Sequence, residues 1–222
     1  MLAALAAYEH HDDPATRLAN RVAILVGANG PFYPLYVWGI LPQAGTVALA
    51  TMLASPFFLA IPWLSRRCAW LARASLPAVG LANTAWTAAL LGPATGVGVF
   101  AYPCIVLALL AWRERWLMLG LLGAGLAIQY LAGTWPSAPI AGLDAAAQSL
   151  LVPLNGFSVG ALLAFVVLAV AGLDARQGRA TTSPLRSAGA ARATVIATTA
   201  SQWRSAVSAT VGLSRIIAGK AG

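Results

Sequence analysis

The chain has 222 residues, of which 59% are hydrophobic and only 9% are charged. Soluble globular domains carry roughly a quarter charged residues, so this composition excludes a water-soluble domain and favours a membrane protein made of apolar helices. The net charge is +8, but the arginines lie in short segments between long apolar runs rather than on one basic face, which argues against nucleic acid as a partner.

Residues 1–20 form an N-terminal segment that we expect to lie in the cytoplasm. Its apolar start has no preceding basic residue, so it lacks the pattern of a cleavable signal peptide. Residues 9–13 read Glu-His-His-Asp-Asp and hold both histidines of the chain. Adjacent side chains cannot all converge on one ion and no second cluster supplies further ligands, so we expect no metal site. A solvated segment that leads into a helix at Asp13-Pro14 is the favoured interpretation.

Six apolar segments follow, each close to the roughly 20 helical residues that cross a bilayer core about 30 Å thick. The first two are joined by a turn containing Pro42 and Gly45, and the third and fourth by a turn containing Pro93 and Gly96. The sequence therefore predicts an all-α fold, a polytopic bundle of six transmembrane helices within residues 21–174, at 21–41, 43–64, 74–91, 95–112, 116–135 and 150–173.

The distribution of arginine predicts the orientation of this bundle. Arginines precede the first span, join spans two and three at Arg66, Arg67 and Arg73, join spans four and five, and follow span six. The other three connections contain no Lys or Arg. Because positive loops stay on the cytoplasmic side, both termini are predicted to be cytoplasmic.

Residues 175–222 change character and form a basic cytoplasmic region without acidic residues. Its first part reads as a linker. In its second part, apolar residues such as Ile196, Trp203 and Val207 recur at helical spacing, which is typical of an amphipathic helix on the inner leaflet. A disordered basic tail is the alternative.

The spans contain neutral polar side chains but no ionisable residue near a midplane, which disfavours a pump or a charge-coupled transporter. Hydrogen bonds between helices are the ordinary role of such side chains. The rival hypothesis is a ligand pocket in the outer half of the bundle, and its candidate residues are Asn29, Asn83, Thr87, Gln129 and Asn155.

A face of small residues lies on span six and consists of Gly156, Gly160 and Ala164. Small residues spaced by four let two membrane helices approach closely. We expect this face to pack within the bundle, with homodimerisation as the alternative.

No catalytic constellation is visible, since serine triads, phosphate-binding loops and zinc-hydrolase motifs lack their defining residues. The sequence therefore predicts neither an enzyme nor a cofactor. The expected partners are the lipid bilayer and a membrane or cytoplasmic protein.

Three segments carry a family resemblance: Leu64-Ser-Arg-Arg-Cys-Ala-Trp-Leu-Ala-Arg73, Leu91-Gly-Pro-Ala-Thr-Gly-Val97 and Ala111-Trp-Arg-Glu-Arg-Trp116. They resemble the six-helix N-terminal membrane sensor (MASE-like) module of bacterial histidine kinases and nucleotide cyclases. The resemblance covers about residues 14–174 and implies a multi-pass sensory input module in the bacterial cytoplasmic (inner) membrane. Nothing after Asp174 resembles a kinase or cyclase, so the bundle would act through a partner or derive from a truncated or frame-shifted receptor.

Two functions of different classes follow. The first is a sensory input module for signal transduction that binds a small amphipathic ligand and moves span six. The second is a non-catalytic structural or assembly subunit of a larger membrane complex. A facilitator for neutral solutes ranks last because internal repeats are missing.

Overall fold

The computed structural model describes residues 2–111, 113–134 and 139–180. These residues are helices and their connections, with no strand among them. The chain divides into a unit of residues 1–170 and a second unit of residues 171–222, of which the structure describes only the end of a helix. The tail interpreted as an amphipathic helix lies outside the described residues, as do Trp112 and Trp135.

Ten α-helices occur in the described residues. Short 3-10 segments precede or extend several of them, at 42–44, 49–54, 93–95, 97–100 and 109–111. The helices are α1 Leu2–Glu9, α2 Pro14–Asn29, α3 Phe32–Ile40, α4 Gly45–Ala48, α5 Ser55–Ser65, α6 Ala69–Leu91, α7 Ala101–Ala108, α8 Arg115–Thr134, α9 Ala145–Ser149 and α10 Val152–Ala180.

The start of α2 confirms the helix predicted at Asp13-Pro14. Asp13 has an extended backbone and its side chain accepts a hydrogen bond from the Thr16 N–H, while Pro14 occupies the first helical position. The first predicted span is not one helix, however. It divides at Gly30 and Pro31 into α2 and α3, because proline has no N–H to continue the helical hydrogen-bond ladder.

The third predicted span begins earlier than expected. We placed Arg73 in the loop before a span starting at residue 74, but α6 already begins at Ala69. Arg73 therefore lies inside the helix, and its side chain is buried with only 7% exposure. The loop between α5 and α6 contains only residues 66–68.

Three helical stretches of the described residues are long and apolar enough to cross a membrane. They are Pro42–Ser65, Ala69–Leu91 and Ala145–Ala169, with mean hydropathies of 1.8, 1.2 and 2.1. The apolar helices Val97–Ala111 and Arg115–Leu131 are shorter. These findings confirm an all-helical fold for the described residues, with three helical stretches that could span a membrane.

Helix α6 runs from one end of the bundle to the other. Arg73 and Leu91 are 18 residues apart, which is about 27 Å along a helix. Arg73 contacts residues that precede α2 and α8, whereas Ala89 and Leu90 accept hydrogen bonds from the N–H groups of Ile140 and Ala141. We call the first the charged end and the second the turn end. The connections before α2, α6 and α8 thus lie at one end of the bundle. Arginines occur in the connections before α6 and α8, whereas Arg17 and Arg21 lie within α2 itself.

Glycine permits close helix packing at the crossing of α2 and α5. A Cβ atom added at Gly27 would lie 2.8 Å from Leu59 Cγ and 3.1 Å from Phe58 Cβ. Similar approaches join α6 to α7 at Gly80, where Cys104 Sγ would be 2.5 Å from an added Cβ. Small residues thus set the distance between neighbouring helices, as expected in lipid.

Candidate functional site

A buried arginine joins three helices at the charged end. Arg73 Nη1 donates to Asp13 Oδ2 at 2.8 Å and to Thr16 Oγ1 at 3.0 Å. Its Nη2 donates to Glu114 Oε1 at 3.1 Å. The planar guanidinium presents several donors in a fixed fork, so one side chain can hold α2, α6 and the start of α8 together. We call Asp13, Thr16, Arg73 and Glu114 the charged cluster.

The side chains of the charged cluster are largely shielded from solvent. The Arg73 side chain is 7% exposed, while the Asp13 and Glu114 side chains are 27% and 31% exposed. A buried cation without a partner is strongly unfavourable, so Arg73 depends on its carboxylates. The second carboxylate oxygen of Glu114, Oε2, is also buried and has no hydrogen-bond partner among the described residues.

A second polar layer lies beside the charged cluster. Arg21 donates to Glu9 Oε1 from Nε at 2.9 Å and from Nη2 at 2.7 Å. Asn20, which is fully buried, donates to the Glu9 carbonyl at 3.1 Å and to Ser65 Oγ at 3.0 Å. These contacts fix the segment that precedes α2 against α2 and α5. Residues 9–13 are thus partly solvated: His10 and Asp12 are exposed, whereas the carboxylates of Glu9 and Asp13 form ion pairs.

The pKa of Asp13 reflects this environment. Burial alone would raise it, but hydrogen bonds from the Thr16 hydroxyl and N–H, together with the charge and hydrogen bond of Arg73, outweigh that effect and lower the pKa below 3.8. Asp13 is therefore ionised at neutral pH and serves both as the cap of α2 and as the counter-ion of Arg73.

An open groove lies next to the charged cluster. It has a volume of about 620 Å³, and its lining consists of Trp70, Arg113, Glu114, Arg115, Trp116 and Leu117. The lining comes from the first turn of α6 and from the segment that enters α8. Indoles and guanidinium groups thus border the groove, and the carboxylate of Glu114 connects it to Arg73.

At the turn end, a buried amide joins α10 to two other elements. Asn155 is fully buried, accepts a hydrogen bond from Tyr33 Oη at 3.0 Å and donates to the Thr95 carbonyl at 2.9 Å. Tyr33 belongs to α3 and Thr95 to the turn after α6. We call Tyr33, Thr95 and Asn155 the amide junction.

A second buried amide reinforces the same turn. Gln148 Oε1 accepts from the Ala94 N–H at 3.0 Å, and its Nε2 donates to the Leu143 carbonyl at 2.8 Å. Gly92 makes this approach possible, since its φ of 101° suits glycine and an added Cβ would collide with the Gln148 amide. The connection before α10 is therefore fixed onto the turn after α6.

The five candidate ligand residues occupy different environments. Asn29 is exposed, Thr87 is buried, and Asn155 belongs to the amide junction. Asn83 and Gln129 are half-buried, and each has a buried side-chain carbonyl oxygen that finds no hydrogen-bond partner in the part of the chain that the structure describes. No hydrogen bond joins any two of the five, all of which lie in described helices. Ligand binding by these residues stays a prediction.

The small-residue face of α10 points away from the described helices. Gly156 and Ala164 are exposed, and a Cβ added at Gly156 or Gly160 would have no described atom within 4 Å. The described residues show no close contact at Gly156 or Gly160, and the role of this face in helix packing stays a prediction. The buried face of α10 runs instead through Asn155, Val159 and Val166, and Leu151 is buried just before the helix begins.

Sequence reasoning missed the charged cluster as a unit. Its members are separated by 60 residues between Asp13 and Arg73 and by 41 residues between Arg73 and Glu114. One signal was present, because Glu114 stands between Arg113 and Arg115 in an otherwise basic connection.

Comparison with known proteins adds no relative. No protein-family model, curated protein or solved structure matches the chain. In the described residues, no group of three His, Cys, Asp or Glu side chains is arranged to hold a metal ion.

Proposed function

We propose that this chain is a six-span bundle of the bacterial inner membrane, with both termini cytoplasmic, that serves as a non-catalytic sensory input module. Its output would come from another domain or protein. The proposal includes the resemblance of the chain to MASE-like sensor modules. The connections before α6 and α8, which contain arginines, lie at the same end of α6 and support the orientation, because positive segments remain on the cytoplasmic side.

The observation that carries the sensory role is the amide junction on α10. Asn155 lies in the first turn of a helix of 29 residues, which is about 43 Å long at 1.5 Å per residue. This length exceeds a bilayer core of about 30 Å. A ligand that competes for the Asn155 amide would break the hydrogen bonds that hold the first turn of α10. The other end of α10 leads into the basic tail, so the change could reach the tail.

A small amphipathic molecule is the expected ligand class. The junction offers a phenol, an amide and a backbone carbonyl among apolar side chains such as Val37 and Leu151. Neutral donors and acceptors in an apolar surrounding suit a molecule with one polar group and an apolar body. For signalling, the ligand would have to bind one arrangement of α10 more tightly than another.

The test uses the full chain in lipid nanodiscs with a panel of quinones, fatty acids and other amphipathic molecules. We expect at least one compound to raise the melting temperature and to change the rate of tryptic cleavage after Arg176 or Arg179. Both responses should be lost in Asn155→Leu and kept in Asn29→Leu. Absence of any stabilising compound, together with unchanged cleavage, would contradict the sensory proposal.

A second candidate function is an assembly subunit of a larger membrane complex. The outward small-residue face of α10 favours it, because such faces support close contact between helices of different chains. Gentle detergent extraction followed by native electrophoresis should then yield a species heavier than a dimer. Migration as a lone monomer or dimer would exclude this function.

A further inference from the structure

The groove at the charged end has the composition of an anion site. Two arginines, Arg113 and Arg115, line it, and both are exposed. Arg115 forms no hydrogen bond or ion pair within the described part of the chain. Its guanidinium is therefore available to an external anion, and guanidinium groups bind phosphate oxygens in a bidentate manner.

The nearby carboxylates do not cancel this positive charge. Glu114 is paired with Arg73 through Oε1, and Asp13 shares the same arginine. Both carboxylates are therefore engaged by Arg73, and the positive charge of Arg115 is offset by neither of them. An anionic ligand is favoured over a zwitterionic one.

The remaining lining suits a lipid rather than a free ion. Trp70 is 46% exposed and Trp116 is 88% exposed, and Leu117 completes the apolar side. Trp70 lies in the first turn of α6, a helix long enough to cross a membrane, and Trp116 in the first turn of the apolar helix α8. Tryptophan at the ends of apolar helices is typical of the level of lipid headgroups.

We infer that this groove binds the phosphodiester headgroup of an anionic phospholipid, with Arg115 on the phosphate and the two indoles against the glycerol and upper acyl region. The inference rests on the membrane location in the proposed function. Glu114 and Arg73 connect the groove to α2, so an occupied groove would stabilise the charged end of the bundle.

The test is native mass spectrometry of the full chain released from nanodiscs that contain equal amounts of phosphatidylglycerol and phosphatidylcholine. We expect retained phosphatidylglycerol on the wild-type chain and about a fivefold lower occupancy in Arg115→Gln, in line with one arginine near an anionic surface. The matched control is Arg67→Gln. Arg67 is exposed in the neighbouring basic loop and stacks on Trp63 at 5.3 Å, outside the groove.

The outcomes separate this inference from its alternatives. Equal losses in Arg115→Gln and Arg67→Gln would mean diffuse attraction to the surface and would overturn the site. Displacement of the lipid by millimolar inorganic phosphate would indicate a phosphate site instead and would overturn the lipid assignment. Arg115→Lys should keep part of the occupancy, and melting curves verify that each variant is folded.

The membrane location is checked separately by carbonate extraction from phosphatidylcholine vesicles. A chain that resists extraction but retains no phosphatidylglycerol refutes only the lipid groove. A chain that is extracted refutes the membrane location and, with it, both proposals.

Discussion

Arg73 and Asp13, 60 residues apart in sequence, are joined by a hydrogen bond of 2.8 Å between Nη1 and Oδ2. The carboxylate also caps α2, so one group both starts a helix and neutralises a buried cation. Together with Glu114, this pair determines how α2, α6 and α8 meet at the charged end.

Replacement of Arg73 tests the charged cluster. Arg73→Gln leaves two carboxylates without their cation, and we expect a loss of about 2–4 kcal/mol in the free energy of unfolding, since the carboxylates are partly solvated. Arg73→Lys should lose less of this free energy, because lysine keeps the positive charge although it lacks the planar guanidinium donors. The control Arg67→Gln should cost below about 1 kcal/mol, the value of an exposed cation–π contact. Denaturation in mixed micelles measures all three, and equal losses at the two arginines would refute a special role for Arg73.

The amide junction gives a second prediction. Asn155→Leu removes both hydrogen bonds and leaves the Tyr33 hydroxyl and the Thr95 carbonyl without their partner, so unfolding should become easier by about 1–3 kcal/mol. The same substitution at the exposed Asn29 should change stability by less than about 0.5 kcal/mol. Thermal unfolding in detergent compares the two variants. A junction that contributes nothing would give equal melting temperatures.

Close packing of α2 on α5 gives a third prediction. Gly27→Ala forces a methyl group toward Phe58 Cβ, which cannot move without its backbone, and should destabilise the chain by about 1–3 kcal/mol. Gly156→Ala meets no described atom within 4 Å and should not destabilise the monomer. Both variants are compared by unfolding at low protein concentration. A loss at Gly156 but not at Gly27 would reverse the assignment of the packed faces.

Asp13 gives a prediction for pH. Its pKa is lowered in the folded chain, so its contribution to stability is fully present above the unfolded value of about 3.9 and is lost as the pH falls through the folded pKa. The chain has only six acidic residues, so few other groups can produce an acid transition. Melting temperatures between about pH 6 and pH 3 should fall less steeply in Asp13→Asn than in the wild type. Parallel curves would show that Asp13 is not coupled to folding.

Sequence patterns predicted local features better than distant contacts. The helix start at Asp13-Pro14 follows from cap chemistry within four residues, and the apolar runs follow from composition. The burial of Arg73 could not be predicted, because it depends on partners 60 and 41 residues away.

The face of α10 that packs was equally hidden in the sequence. Asn155 and Gly156 are neighbours, yet Asn155 is fully buried and Gly156 is exposed. In a helix that is apolar on all sides, the sequence shows little periodicity that would indicate which face packs against the bundle. Gly30 and Pro31 are visible in the sequence, but the division of the first predicted span into α2 and α3 was not predicted from them.

The central claim, an oriented membrane bundle with its charged end in the cytoplasm, is tested most directly by cysteine accessibility in intact cells of a bacterial host. Native Cys68 near the charged end, in a Cys104→Ser background, is compared with Ala94→Cys at the turn end in a background that also carries Cys68→Ser. Ala94 is exposed and Cys68 is partly exposed. A membrane-impermeant maleimide should label Ala94→Cys in intact cells and Cys68 only after permeabilisation. Labelling of both positions from the same side would contradict the account.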